Sequence, residues 1–296
     1  MLIMAFAKTR ITHFVKGELA LVEFELPAVH QVNSMQYHVC DTTMRPGTAF
    51  VAEPFGSRTL RQEKRVYTRS NCAMLTPRIL ETAINLASGK EKFPNTSLWW
   101  QSKNLTETLI PIRLEFDETH TFLRPYEHTN RKQETESLAL ESKHQWQYKK
   151  ILAFGFYTGG TAFAAYARYM VAHNFGISHV NPRGAHLTLI MSAQDNSRLL
   201  FHKEFEILAR QFPLNFSYHP FLTRTWPMDW PYGRGRIIDP NRTIQSEVDM
   251  RPLLSLVPNL EQYHIRICGG RTPRDRIQLG LAQQHINPLS FRSECW

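Results

Sequence analysis

Between Lys150 and His173 the sequence reads KILAFGFYTGGTAFAAYARYMVAH, and no other segment restricts the fold so tightly. The run from Ile151 to Ala167 carries no charge. It falls short of the roughly 20 apolar residues of a membrane-spanning helix, and Gly155, Gly159 and Gly160 interrupt it. A buried strand, a glycine turn and an alanine-rich helix account for it better. A strand feeding a helix in this way is the opening unit of a parallel α/β sheet.

The same rhythm continues to the end of the chain. Strands are predicted at Lys150–Phe156, His186–Ser192, Asn215–Phe221 and His264–Cys268, and helices at Thr161–His173, Ser197–Gln211 and Pro273–Gln284. Upstream the pattern is different. From Ile11 to about Phe122, short β-rich runs at Leu19–Leu26, Thr48–Glu53, Arg65–Arg69, Ile79–Leu86 and Thr108–Phe116 alternate with turn residues, as in an antiparallel barrel or sandwich. Arg124 to about residue 145 is polar and charged, and reads as a linker or exposed excursion. With 296 residues there is room for two domains. We place an antiparallel β-barrel at 1–145 and a parallel α/β domain at 146–296.

The formal charge of +9 favours an acidic partner. The only dense basic cluster, Gly233-Arg234-Gly235-Arg236, is too short for an RNA-binding tract, so no nucleic acid is expected. Cys40, Cys72, Cys268 and Cys295 are too scattered to hold zinc or an iron-sulfur cluster, so no metal is expected. Sparse cysteines suit a reducing compartment, although counting leaves long-range disulfides open. The apolar start Met1–Ala7 is short for a signal sequence and is predicted as a first strand. A cytoplasmic monomer without membrane insertion is expected.

Five constellations point to chemistry. In Arg65-Val66-Tyr67-Thr68, alternate residues of a strand share a face, so Arg65 and Tyr67 can meet one ligand; an ordinary edge strand is the plainer alternative. A cation beside an aromatic ring suits a phosphorylated ring system such as a flavin. At Thr158-Gly159-Gly160-Thr161, glycines between strand and helix allow a pyrophosphate to approach backbone amides; tight packing is the alternative. Thr223-Arg224 and Gly235-Arg236-Ile237 place two arginines after one strand, able to hold a ribose 2'-phosphate or simply to form a solvated basic loop. Cys268-Gly269-Gly270 ends a strand where open sheets bind ligands. The chain finishes Glu294-Cys295-Trp296, and a terminal Trp either covers something flat or packs on protein.

In order and spacing these segments resemble the ferredoxin-NADP reductase superfamily, and the bacterial-type reductases most of all. The likeness spans about residues 8–296 outside the polar excursion. Arg65, Tyr67 and Thr68 match the flavin motif Arg-x-Tyr-Ser/Thr, with Asn71 just beyond it. Thr96 and Ser97 fall at the second phosphate motif, where Pro94 replaces a glycine. Gly160-Thr161-Ala162-Phe163-Ala164-Ala165-Tyr166 is similar to Gly-Thr-Ala-Ile-Gly-Pro-Tyr. Gln194 and Gly270-Arg271 are further departures. The resemblance implies FAD as cofactor and NADP(H) as substrate. It assigns Thr68, Cys268, Glu294 and Trp296 to the catalytic centre. Arg65, Tyr67, Thr68, Asn71, Thr96, Ser97 and Trp296 would bind the flavin, and Gly160, Thr161, Thr223, Arg224 and Arg236 the dinucleotide. It implies electron exchange with an acidic carrier, ferredoxin or flavodoxin. An oxygenase reductase component and a catalytically weakened nucleotide-binding regulator are the alternatives.

Overall fold

The computed structural model describes residues 2–15, 19–26, 29–32, 35–38, 49–52, 65–72, 75–76, 78–85, 100, 109–115, 150–179, 181–238, 243–244 and 247–295. The chain divides into two compact units, Met1–Leu123 with Thr161–Ala172, and Arg124–Gly160 with His173–Trp296. The polar excursion at 124–145 lies outside the described residues.

The first unit is antiparallel. Its strands are β1 (Leu2–Val15), β2 (Leu19–Glu25), β3 (Val29–Val32), β4 (Met35–His38), β5 (Ala49–Ala52), β6 (Arg65–Thr68), β7 (Ile79–Asn85) and β8 (Leu109–Glu115). Six of them form one sheet in the order β6-β5-β8-β1-β2-β7, and β3 pairs with β4. Alternation drives the packing: Leu19, Ala20, Val22 and Phe24 of β2 are buried, while Glu25 is exposed. The two end strands approach each other, since the Ser70 N–H donates to the Glu81 carbonyl at 2.7 Å and Thr82 Oγ1 donates to the Thr68 carbonyl at 2.7 Å. Among the described residues no ladder pairs β6 with β7.

The second unit carries β9 (Lys150–Phe156), β10 (His186–Ala193), β11 (Phe216–Leu222), β12 (Gly233–Arg234), β13 (Thr243–Ile244), β14 (Glu247–Val248), β15 (His264–Gly269) and β16 (Ser290–Cys295). Its main sheet is parallel throughout, in the order β12-β11-β10-β9-β15-β16. Helix α1 (Gly160–Ala172) follows β9 in the chain, and the second unit's own helices are α2 (His202–Gln211), α3 (Arg251–Leu256) and α4 (Arg271–Gln283). The central β9 is buried continuously from Ile151 to Gly155, as expected of a strand covered on both faces. Leu152, Phe154, Ile190, Ile265, Ile267 and Ile277 form one core cluster with Leu253 and Leu281.

Several elements differ from expectation, among them a helix and a strand of the second unit. Helix α2 begins at His202 rather than Ser197, because Asn196–Arg198 form a 3-10 turn and Phe201 sits in the left-handed region at φ 58°. A bulky residue there interrupts helical geometry. The sixth parallel strand, β16, was not predicted; its residues are all half-buried, so Ser-Phe-Arg-Ser-Glu-Cys carries no apolar run to announce it. Among the described residues no helix is long and apolar enough to cross a membrane.

Helix α1 counts with the first unit from Thr161 onward. Arg168 on that helix donates to the Ser70 carbonyl at 3.0 Å and to Glu81 Oε1 at 2.7 Å. The Ser70 hydroxyl donates to the same Glu81 oxygen. The unit division therefore departs from a single cut near residue 146.

Candidate functional site

The carboxyl edge of the parallel sheet gathers the sequence motifs of the second unit. Beyond β9 the chain turns through Tyr157–Gly159 into α1, which opens at Gly160. Tyr157 adopts φ 57°, a left-handed conformation that costs a bulky residue about 1–3 kcal/mol and tends to persist at functional turns. A Cβ on Gly159 would lie 2.0 Å from the Cys268 carbonyl oxygen. Only a glycine lets the turn after β9 press against the end of β15. Gly269 is constrained from the opposite side, with φ +133° and a built Cβ 2.6 Å from the Phe156 carbonyl oxygen. Thr161 follows Gly160 and is 3% exposed.

On this edge lies a cavity of about 360 Å³. Phe156, Ser192 and Thr223 line it at the ends of β9, β10 and β11, Arg236 to Ile238 close one side, and Thr272, Pro273, Arg276 and Ile277 of α4 close another. Two predicted residues, Thr223 and Arg236, are thus brought together. The Thr223 N–H and hydroxyl both donate to the Ala193 carbonyl, at 2.9 and 3.1 Å. With that proton committed, the threonine hydroxyl has no donor left for a ligand. Arg224 is exposed, its N–H donates to the Gln194 carbonyl, and it is not among the lining residues. Gln194 accepts a hydrogen bond from Arg198 Nη1, which places a guanidinium beside this departure from the resemblance.

The loop between Thr223 and Arg236 is held down by an aromatic cluster. His202 of α2 lies 5.4 to 5.8 Å, ring to ring, from Tyr218, Trp230 and Tyr232. Its Nδ1 is 3.1 Å from the Tyr218 hydroxyl, and burial lowers its pKa. The Tyr232 hydroxyl donates to Glu206 Oε1, a bond that pushes the phenol up to about 12. These contacts fasten the loop to α2 and β11 and so set the path by which Arg236 reaches the cavity.

Cys268 is fully buried and pairs in register with Glu294 across β15 and β16. Burial lifts its thiol well above the ordinary 9.0, and Glu294 adds to the shift. The folded protein therefore keeps a proton that the unfolded chain releases above about pH 9, so stability falls as pH rises past that value. Thermal unfolding between about pH 9 and 10 should show this loss, and Cys268→Ala should flatten it. An unchanged slope would contradict the assignment. At neutral pH the residue presents a neutral thiol and not a thiolate.

In the first unit, Tyr67 stands half-buried on β6 between two buried rings. Phe50 is 5.9 Å away and tilted; Trp100 is 6.2 Å away and perpendicular, its Nε1–H donating to the Tyr67 hydroxyl at 3.1 Å. Thr68 is buried, and its carbonyl accepts from Thr82. Asn71 serves the protein itself. Its Oδ1 accepts from Arg69 Nε at 2.9 Å and from the Glu81 N–H at 2.9 Å, while its Nδ2 donates to the Thr76 and Ile79 carbonyls. That leaves its side chain no capacity for a cofactor. Thr96, Ser97 and Trp296, with the Arg65 side chain, lie outside the described residues.

No family model matches the chain, and no curated protein matches it in sequence. Solved structures do match along the whole chain. A cytochrome P450 reductase from Amycolatopsis is 13% identical at a TM-score of 0.66, over 99% of this chain and 70% of that one. The cytochrome b5 reductase domain of Ulva prolifera nitrate reductase is 15% identical at 0.65, over 99% and 97%. Ferredoxin-NADP+ reductase from Plasmodium falciparum, solved with 2'P-AMP, is 12% identical at 0.60, over 99% and 95%. The chain shares the fold of these reductases.

Within this reductase fold, sequence reasoning missed Ser192, Thr272 and Arg276. Ser192 could have been found as a polar residue at the carboxyl end of a buried strand. Thr272 and Arg276 are four apart, as are Pro273 and Ile277, so all four share one helix face. That periodicity was available but attached to no motif.

Proposed function

We propose that the chain is a flavin-dependent oxidoreductase moving electrons between NADPH and a small acidic carrier such as ferredoxin or flavodoxin. The observation carrying this reading is the cavity on the carboxyl edge of the parallel sheet, lined by Arg236 beside the apolar Phe156, Ile237 and Ile277. A guanidinium over a largely apolar pocket suits a phosphorylated ligand with a flat ring. Residues 146–296 serve as the dinucleotide domain, and the antiparallel strands of residues 1–145 as the flavin-binding barrel.

The residues present fit both groups. Tyr67 keeps part of its ring accessible while Phe50 and Trp100, which hold it, are buried; such a ring can stack on a flavin. Bound FAD supplies hydride acceptance and one-electron release. The chain supplies orientation. Arg236 holds phosphate, with Arg224 reaching it from solvent. The turn at Gly159, Gly160 and Thr161 lets backbone come close to the dinucleotide. Cys268, kept as a thiol, and Glu294 flank the nicotinamide, and Arg65, Thr68, Thr96, Ser97 and Trp296 serve the flavin. The net charge of +9 speeds encounter with an acidic carrier.

The purified protein is expected to be yellow and to bleach when NADPH is added anaerobically. Flavin left oxidised by NADPH would sink the reductase reading. Arg236→Ala should raise KM for NADPH by about 10-fold or more while changing that for NADH little, since a charge-assisted bidentate contact is worth about 1.5–3 kcal/mol. Equal effects would remove the 2'-phosphate role. A second reading, a reductase feeding an oxygenase, draws on the likeness to the Amycolatopsis cytochrome P450 reductase. Titrating the reduced protein with candidate carriers separates the two.

A further inference from the structure

We propose that Arg276 on α4 forms, with Arg236, a two-sided phosphate site that clamps the bound nucleotide from opposite walls of the cavity. The inference rests on reading this cavity as the dinucleotide site. Arg236 arrives from the loop after β12, and Arg276 from the second turn of a helix that follows β15, yet both line the same space of about 360 Å³. No carboxylate is among the residues lining it. Two arginines without a carboxylate among the lining residues favour an anion in this space, and the attraction grows as apolar walls lower the local dielectric. Here Ile237 is 4% exposed and Ile277 1% exposed, so the base of the cavity belongs to the hydrophobic core. An anion with two or more oxygens can accept from both arginines at once.

The surroundings of Arg276 point the same way. The single carboxylate of α4 is Asp275, and it is paired with Arg274, Nε to Oδ1 2.6 Å. Among the described residues Arg276 itself has no hydrogen bond or ion pair, which leaves its five donors for a ligand. Thr272 lines the cavity from the preceding turn of the same helix. The Thr223 hydroxyl is committed to the Ala193 carbonyl, so the two arginines are the charged residues of the lining. The phosphate is either the ribose 2'-phosphate or the 5'-phosphate of the dinucleotide, and the chemistry of recognition is shared.

Calorimetric titration of the full chain with 2'-phospho-AMP, AMP, NADP+ and NAD+ tests this for wild type, Arg236→Ala, Arg276→Ala and Arg276→Lys. Arg276→Ala is expected to weaken 2'-phospho-AMP and NADP+ by about 10- to 100-fold. AMP and NAD+ should then change by less than about 3-fold if the contact is to the 2'-phosphate, whereas an equal loss for all four ligands assigns it to the 5'-phosphate. Arg276→Lys, keeping the charge but losing the fork, should recover part of the affinity. Thermal unfolding of each variant separates a lost contact from a lost fold. If Arg276→Ala, folded as wild type, binds all four ligands unchanged while Arg236→Ala does not, the clamp is wrong and the dinucleotide site stands. If wild type binds none of them, the reading of the cavity fails and the clamp fails with it.

Discussion

Gly159→Ala should lower the thermal midpoint by about 10 °C and abolish dinucleotide binding in whatever remains folded. The added methyl would sit 2.0 Å from the Cys268 carbonyl oxygen and 2.6 Å from its carbon. Both are backbone atoms of β15, in the middle of a parallel sheet whose register with β9 pairs Cys268 with Gly155. A flexible side chain could swing aside; a hydrogen-bonded strand cannot. Overpacking of well-filled sites costs about 1–3 kcal/mol, and a clash with immobile backbone belongs at or above the top of that range. At about 2–4 °C per kcal/mol for a domain of this size, 3 kcal/mol corresponds to the stated shift. Differential scanning calorimetry and NADP+ titration check it together. A variant that melts as wild type and binds NADP+ normally would mean that the turn after β9 can move, and that its glycine is not required by packing. Gly160→Ala makes the contrasting control, since its built Cβ meets the end of the Met191 side chain, which can turn away.

Arg69→Met should destabilise the antiparallel unit by about 3 kcal/mol or more. Arg69 is 1% exposed. Its Nε donates to Asn71 Oδ1 at 2.9 Å and its Nη2 to the carbonyls of Thr76 and Ile79 at 3.2 and 2.6 Å. Methionine fills much of the volume but supplies no donor, so the loss falls on hydrogen bonds from a charged group to buried acceptors. Arg69→Lys should regain less than half, because an ammonium on a flexible stem cannot reproduce the planar fork. The affected turn follows directly on Tyr67 and Thr68, so flavin content of the purified variant should fall in parallel with stability. Chemical denaturation followed by tyrosine and tryptophan fluorescence measures the first effect and flavin absorbance the second. A Met variant as stable as wild type would show that the turn does not depend on this guanidinium.

Both predictions concern residues whose importance is unequally visible in the chain. Gly159 belongs to a glycine turn that the sequence marks plainly, and the strand and helix flanking it are found where the apolar pattern placed them, β9 over Lys150–Phe156 and α1 from Gly160. The antiparallel strands β2, β5, β6, β7 and β8 also coincide with the β-rich runs to within a residue or two. Arg69 carried no such mark. In the sequence it only ends the predicted strand Arg65–Arg69, while the resemblance gives Asn71 to the flavin. The structure shows the two side chains bonded to each other and to the same pair of carbonyls. No local pattern distinguishes an arginine that caps a buried turn from one that meets a phosphate, because both are satisfied by oxygens.

The sequence by itself determined the order of elements, the change from antiparallel to parallel architecture and the glycine turn that opens the second sheet. Those follow from local periodicity and backbone permissiveness, which neighbouring residues encode. Tertiary structure decided which polar side chains share one space. Arg236 and Arg276 are separated in the chain by the β13–β14 hairpin, α3 and β15, yet line one cavity with Ser192 and Thr223. Arg224, beside Thr223 in sequence, does not. Parallel sheets bring the ends of non-consecutive strands together at their carboxyl edge. The separation of two residues along the chain therefore says little about their distance there, and the half-buried strand β16, which sets Glu294 beside Cys268, gives no apolar signal of its own.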